Sequence, residues 1–117
     1  MERSEQYHEK RKNPRFYLDL PVEYRIHPFP RPHAGIVANA SQNGMLIRAA
    51  RNMAVGTTLK MMVLFPSGFE LNHLEGVGEI IWRDLCWKER WRGYQYGISL
   101  TRILHKDSQK LGELLHD

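Results

Sequence analysis

From Phe16 onward the chain alternates apolar and polar positions with a period of two. Val22, Tyr24 and Ile26 interleave with Glu23 and Arg25, the pattern of a strand that buries one face. Pro28, Pro30 and Pro32 then crowd the segment His27 to His33, and proline, having no N–H to give a ladder, predicts a stop there. A second strand is predicted over Gly35 to Ala38 and a third over Met45 to Ala49, with a connecting turn over Arg51 to Gly56. Thr57 to Phe65 is rich in β-branched and large apolar side chains and is closed by Pro66-Ser67-Gly68, a fourth strand. Leu71 to Arg83 reads as a long fifth strand in which Gly76 and Gly78 mark a bulge or close packing. Trp87 to Gly93 reads as a wide charged hairpin loop, and Gly93 to Thr101 as the sixth strand. No helix alternates with these strands, so the pattern predicts an all-β, six-stranded antiparallel barrel.

The two ends differ from this middle. Residues 1 to 15 are polar and charged without apolar periodicity, which predicts a flexible tail that orders only when something binds it. At the other end Asp107 can cap a C-terminal α-helix in which Leu111, Leu114 and Leu115 share one stripe, suited to lie against the barrel mouth. The expected organisation is thus a tail over 1–15 and a single barrel domain with its helix over 16–117. Met45, Met53, Met61 and Met62 are expected to fill the core.

Composition narrows the function classes. The chain has 117 residues, 42% of them hydrophobic and 26% charged, as in an ordinary globular protein with one core. No apolar run approaches the length of a membrane span, and Met1 to Gln6 lack the apolar stretch of a signal peptide, so the expected location is the cytoplasm. The single cysteine, Cys86, fits a reducing compartment and reads as a small hydrophobe between Leu85 and Trp87. His27 and His33 lack a third ligand at metal spacing, so no metal and no cofactor are expected. G-x-S-x-G, phosphate-binding glycine loops and H-E-x-x-H are all missing, which disfavours an enzyme. The net charge of +4 favours an anionic partner without naming it.

Two short stretches carry the candidate chemistry. Lys10-Arg11-Lys12-Asn13-Pro14-Arg15 contains R-x-x-x-R, and Pro14 opposes a helix, leaving an extended or turning loop. Four extended residues reach roughly 13 Å, so both guanidinium groups can close on one ligand of nucleotide size. Each can fork onto phosphate oxygens, bind the O6/N7 edge of guanine, or stack on a purine. Asn39-Ala40-Ser41-Gln42-Asn43-Gly44 follows one strand later with the spacing N-x-S-x-x-G. Asn and Ser build turns by bonding local backbone, and Gly44 permits a left-handed conformation or a close approach. Arg48 is placed to look toward the same corner.

Together these stretches resemble the paired signature of the PilZ domain family, R-x-x-x-R followed by D/N-x-S-x-x-G. Arg15-Phe16 with Leu20-Pro21-Val22-Glu23-Tyr24, Gly35-Ile36-Val37, Gly56-Thr57-Thr58-Leu59, Ile80-Ile81-Trp82 and Tyr96-Gly97-Ile98 extend the likeness over nearly the whole chain after Glu9. The resemblance implies a PilZ-type barrel that binds the bacterial second messenger cyclic di-GMP. It assigns Arg11 and Arg15 to phosphates and guanine edges, Asn39 and Ser41 to a guanine edge, and Gly44 to close passage of the base. Lys10, Lys12, Asn43 and Arg48 are implied as secondary contacts. Asn43 stands where the family often has glycine, and asparagine tolerates a left-handed turn. In the family the residue before the first arginine influences whether one ligand or an intercalated pair is bound, and the basic Lys10 leans toward the pair.

Two other readings remain beside it. Trp82, Trp87, Trp91, Tyr94 and Tyr96 interleave with Arg83, Lys88, Arg90 and Arg92, as in small barrels that stack single-stranded nucleic acid; a hairpin whose aromatics alternate between core and surface accounts for the same pattern more simply, so nucleic acid is disfavoured. A PilZ-type interaction module that binds no ligand is the other alternative. On the favoured reading, cyclic di-GMP draws the tail across the barrel and creates an ordered surface for an unidentified downstream protein.

Overall fold

The computed structural model describes residues 16–88 and 91–103. Within them run β1 (Phe16–Ile26), β2 (Pro32–Ala40), β3 (Gly44–Ala49), β4 (Thr58–Ser67), β5 (Glu70–Lys88) and β6 (Trp91–Ile103). They close into an antiparallel barrel in the order β1-β2-β3-β6-β5-β4. The expected all-β barrel is therefore present, while the expected tail over 1–15 and the C-terminal helix lie outside the described residues.

Alternation decides what fills the interior. In β3, Met45, Ile47 and Ala49 are buried and the residues between them are not; in β4 the buried set is Leu59, Met61, Val63 and Phe65. These meet Val22 and Tyr24 of β1, Val37 and Ala40 of β2, Leu74 and Ile80 of β5, and Tyr96 and Ile98 of β6 in one core. Closure comes from β1 pairing with β4, from Val22↔Val63 to Ile26↔Leu59. With both ends of the sheet joined, each strand has a fixed inner and outer face, because a one-residue slip would exchange them.

Several strands run further than periodicity predicts. Pro32 and His33 belong to β2, opposite Arg25 and Tyr24. The ladder tolerates proline there because β2 pairs with β3 only from Ile36 onward, leaving Pro32 a partner on one side. His33 stacks on Tyr24 with ring centroids 5.3 Å apart. The charged stretch after Cys86 is also strand rather than a wide loop, since Trp87 pairs with Arg92 and Lys88 with Trp91. Among the described residues this ribbon pairs only with itself, so both its faces can carry charge without breaking the ladder. Met62 corrects the core expectation: it pairs with Glu23 and Glu75 on the outer face. Bulges in the β5–β6 ladder fall between Val77 and Gly78 and between Ile80 and Trp82, the first at the glycine pair that signalled one.

One buried polar contact fastens the long connection between β3 and β4. The Tyr96 hydroxyl donates to the Arg51 carbonyl and accepts from the Met53 backbone N–H at 2.8 Å. Burial pushes the Tyr96 phenol above its ordinary value of 10.0. A raised acid is held neutral by the fold, so its contribution is complete below the unfolded value and is lost as pH climbs toward the folded one. Tyr96→Phe is expected to cost about 1–3 kcal/mol at neutral pH by orphaning the Met53 donor. Thermal melts of the wild type should fall more steeply above pH 10.0 than those of the variant; equal slopes would reject this role.

Candidate functional site

The turn between β2 and β3 is built by local bonds that Asn, Ser and Gly make readily. Ser41 N–H donates to the Gly44 carbonyl at 2.8 Å, and the Ser41 hydroxyl accepts a long bond from Asn43 N–H at 3.4 Å. Asn43 presents its carbonyl to Leu100 N–H at 2.9 Å, tying the turn to β6. Asn39 and Ser41 are the two buried polar side chains of the described residues, each 7% exposed. A bulge between Val37 and Asn39 gives β2 an extra residue, so Asn39 falls opposite the outward Leu46 rather than into the core.

Gly44 is required for contact rather than conformation. A Cβ there would lie 2.6 Å from the Ile98 carbonyl oxygen, whereas positive φ is confined to Gly56 and Gly68 among the described residues. Asn43 accordingly needs no left-handed backbone, and its tolerance for one is not used.

Register extends this corner into a surface. Tyr17 pairs with Asn39, Asn39 with Leu46, Leu46 with Gly97, and Gly97 with Trp82, one outer rung across five strands. A Cβ on Gly97 would collide with the Trp82 indole, so the ring lies directly over the glycine backbone. Trp82 remains 38% exposed. The rung thus has a polar edge at Asn39, with Ser41 nearby, and an apolar part made by Leu46 and by the Trp82 ring lying over Gly97. Arg48 stands on the next outer rung, opposite Ile36 and Gln95. Its Nε is buried and has no hydrogen-bond partner among the described residues, a donor left for something else to meet.

The chain arrives at the same place from its N-terminal side. Phe16 pairs with Ala40, between Asn39 and Ser41. Arg15 directly precedes Phe16 in the sequence. Lys10, Arg11, Lys12 and Arg15 themselves lie outside the described residues.

With this geometry the known proteins can be placed. The PilZ domain family matches residues 9–117. The chain belongs to the PilZ domain family. Among curated proteins none matches the sequence. Among solved structures, this PilZ domain is similar to the Bacillus subtilis inhibitor of motility MotI/DgrA, with a TM-score of 0.70 at 15% identity over 90% of this chain and 49% of that one. The PilZ domain of YcgR from Escherichia coli, solved with cyclic di-GMP, gives 0.61 at 12% identity, covering 91% of this chain and 88% of that one. The K. pneumonia MrkH–cyclic di-GMP complex gives 0.63 at 11% identity, covering 90% and 50%. This chain spans about half the length of the first and third. At such identities the likeness is one of fold.

Trp82 and Gly97 form a contact beside the candidate site that sequence reasoning missed as a unit. An isolated glycine inside the apolar run Tyr96-Gly97-Ile98 was the available signal, because glycine in a strand interior often marks a close approach. The aromatic and basic residues of β5 and β6 do not share one face: Tyr96 is fully buried. Arg83 is held by the Asn52 side chain and the Met53 carbonyl, with its guanidinium 5.9 Å from the Tyr94 ring centroid.

Gly44→Ala sets a Cβ against backbone, and Gly97→Ala sets one against a ring that can swing outward. Gly44→Ala should therefore cost about 1–3 kcal/mol and Gly97→Ala less, with a red shift of tryptophan emission in the second variant. Melting curves and emission spectra of both test the placement; an unshifted spectrum for Gly97→Ala would contradict it.

Proposed function

We propose that this PilZ domain is a receptor for cyclic di-GMP and an adaptor rather than an enzyme, with Arg11, Arg15, Asn39, Ser41 and Gly44 at the ligand and Lys10, Lys12, Asn43 and Arg48 around it. The observation that carries the reading is the pairing of Phe16 with Ala40. It brings the residue after the R-x-x-x-R motif against the N-x-S-x-x-G turn, so one ligand can touch both. Arg15 then needs only its own side chain to reach the corner. Arg11, about 13 Å further along an extended chain, can reach across the rung.

The chemistry of the rung supports a guanine dinucleotide. Asn39 offers an amide and Ser41 a hydroxyl to a guanine edge, while Leu46, Gly97 and Trp82 offer a flat apolar bed on which a base can stack. Arg48 adds a guanidinium donor that a phosphate or guanine acceptor would satisfy. Besides leaving room for the base, Gly44 lets β3 close on Ile98 and so sets the turn. A dianion held by Arg11 and Arg15 would draw residues 1–15 over the barrel. The result is an ordered, partly neutralised surface for a downstream protein. Single-stranded nucleic acid fits less well, since Tyr96 is buried and Arg83 is occupied.

Arg11→Ala and Arg15→Ala should each weaken cyclic di-GMP binding by about 10- to 100-fold, the loss of one charge-assisted contact of about 1.5–3 kcal/mol. Stability should change by less than about 0.5 kcal/mol, as for a surface side chain. Calorimetric titration with cyclic di-GMP, GMP and a short RNA decides the matter; tighter RNA binding, or unchanged affinity in either variant, would count against the receptor. Hydrogen exchange tests the adaptor step separately. Amides before Phe16 should gain protection when ligand is added, and no gain would remove the switch while leaving the binding.

A further inference from the structure

The outer face of β1, β4, β5 and β6 carries a cationic feature on a rung other than that of the β2–β3 corner. Arg25 of β1 pairs with Lys60 of β4, Lys60 with Val77 of β5, and Val77 with Arg102 of β6, so three cations lie along one rung around a single valine. They border a cleft of about 230 Å³ whose lining also includes Met62, Val77 and Glu75. Strands about 4.8 Å apart put the Cα atoms of Lys60 and Arg102 roughly 10 Å from each other, with Val77 between them. Side chains of that length can converge over the valine on a single small anion.

The charges are unevenly used. Arg25 donates through Nε to the Pro30 carbonyl at 2.9 Å and has Glu23 3.1 Å from its Nη2, so it is fixed and partly neutralised. Lys60 and Arg102 are exposed, and neither side chain makes a hydrogen bond or ion pair among the described residues. Glu75 lies on the neighbouring rung beside Met62, 3.6 Å from His73 Nε2. A compact dianion between Lys60 and Arg102 would meet both cations, while Glu75, an acceptor, would favour a hydroxyl-bearing body over a second acidic group.

We propose that this cleft binds the phosphate monoester of a small hydroxylated molecule, free or as a lipid headgroup, independently of the corner at Asn39 and Ser41. The phosphate sits over Val77 between Lys60 and Arg102, and the organic part extends toward Met62 and Glu75. The two sites share β1, β5 and β6 but lie on different rungs of them, Trp82 and Gly97 at one and Val77 and Arg102 at the other, so occupation of one leaves the other open.

Glycerol 3-phosphate serves as the soluble probe, and vesicles of phosphatidylcholine with and without phosphatidic acid serve as the lipid probe. In the soluble arm, titration should shift the backbone amides of Gly76 and Val77 saturably. Lys60→Ala or Arg102→Ala should weaken binding by about tenfold or more, and saturating cyclic di-GMP should leave it unchanged. Sedimentation with phosphatidic acid alone, lost in the same variants, would identify the headgroup as the source. The proposal is overturned if neither probe binds, if binding survives in both variants, or if cyclic di-GMP displaces the probe. Both substitutions are on exposed side chains, and melting curves matching the wild type confirm that any loss reflects the cleft.

Discussion

Closure of the sheet between β1 and β4 is the constraint from which the rest follows. Five ladders alone would leave β1 and β4 as edges, free to slip in register or to pair elsewhere. The β1–β4 rungs from Val22↔Val63 to Ile26↔Leu59 remove that freedom, and the inner face of every strand is then committed to one core. Outer-face neighbours are fixed by the same commitment. Asn39, Leu46, Gly97 and Trp82 share a rung because Val37, Ile47, Tyr96 and Ile80 beside them are buried. The candidate ligand surface is thus the outward side of a register that the core selects.

Within that frame the corner depends on two close approaches of different kinds. Gly44 lets β3 come to within contact of the Ile98 carbonyl, which has no alternative position in a closed ladder. Gly97 instead makes room for a side chain, and the indole that fills it presents its exposed portion to whatever lies on the rung. One glycine therefore sets the backbone of the turn, and the other sets the surface beside it. The bulge at Ala38 completes the arrangement by turning Asn39 outward, since an unbulged β2 would place that amide in the apolar interior at a cost of about 1–3 kcal/mol.

How much of this the sequence discloses varies with the kind of signal. Period-two alternation is strong where one face is buried and the other wet, so Val22-Glu23-Tyr24-Arg25-Ile26 reads correctly as strand. It fails at Pro32 and at Trp87 to Gly93 for a shared reason. Ladder pairing there is one-sided, and a strand with a single neighbour tolerates proline or charge that a central strand would reject. Met62 misleads because an apolar side chain on a barrel's outer face looks, in sequence, like one in its core. The β2–β3 turn is legible because Asn39, Ser41 and Gly44 are of types scarce in strands. Their partner Trp82 is not, since nothing in a linear sequence says that Trp82 and Gly97 are opposite each other.

The two outer sites bear on how a signal leaves such a domain. β1 runs from the corner, at Phe16 and Tyr17, to the cationic cleft, at Arg25, a span of about 26 Å along an extended strand. Between them its inward side chains Val22 and Tyr24 are locked in the core, and close-packed cores resist gradual deformation. A one-residue slide of β1 would flip those side chains outward, so such a shift is not a route between the two proposed sites. Under the proposal above, communication would run through charge and chain added to the surface rather than through what is already packed. A fixed frame of this kind would suit the adaptor role proposed above, in which a ligand would alter only what is laid upon the barrel.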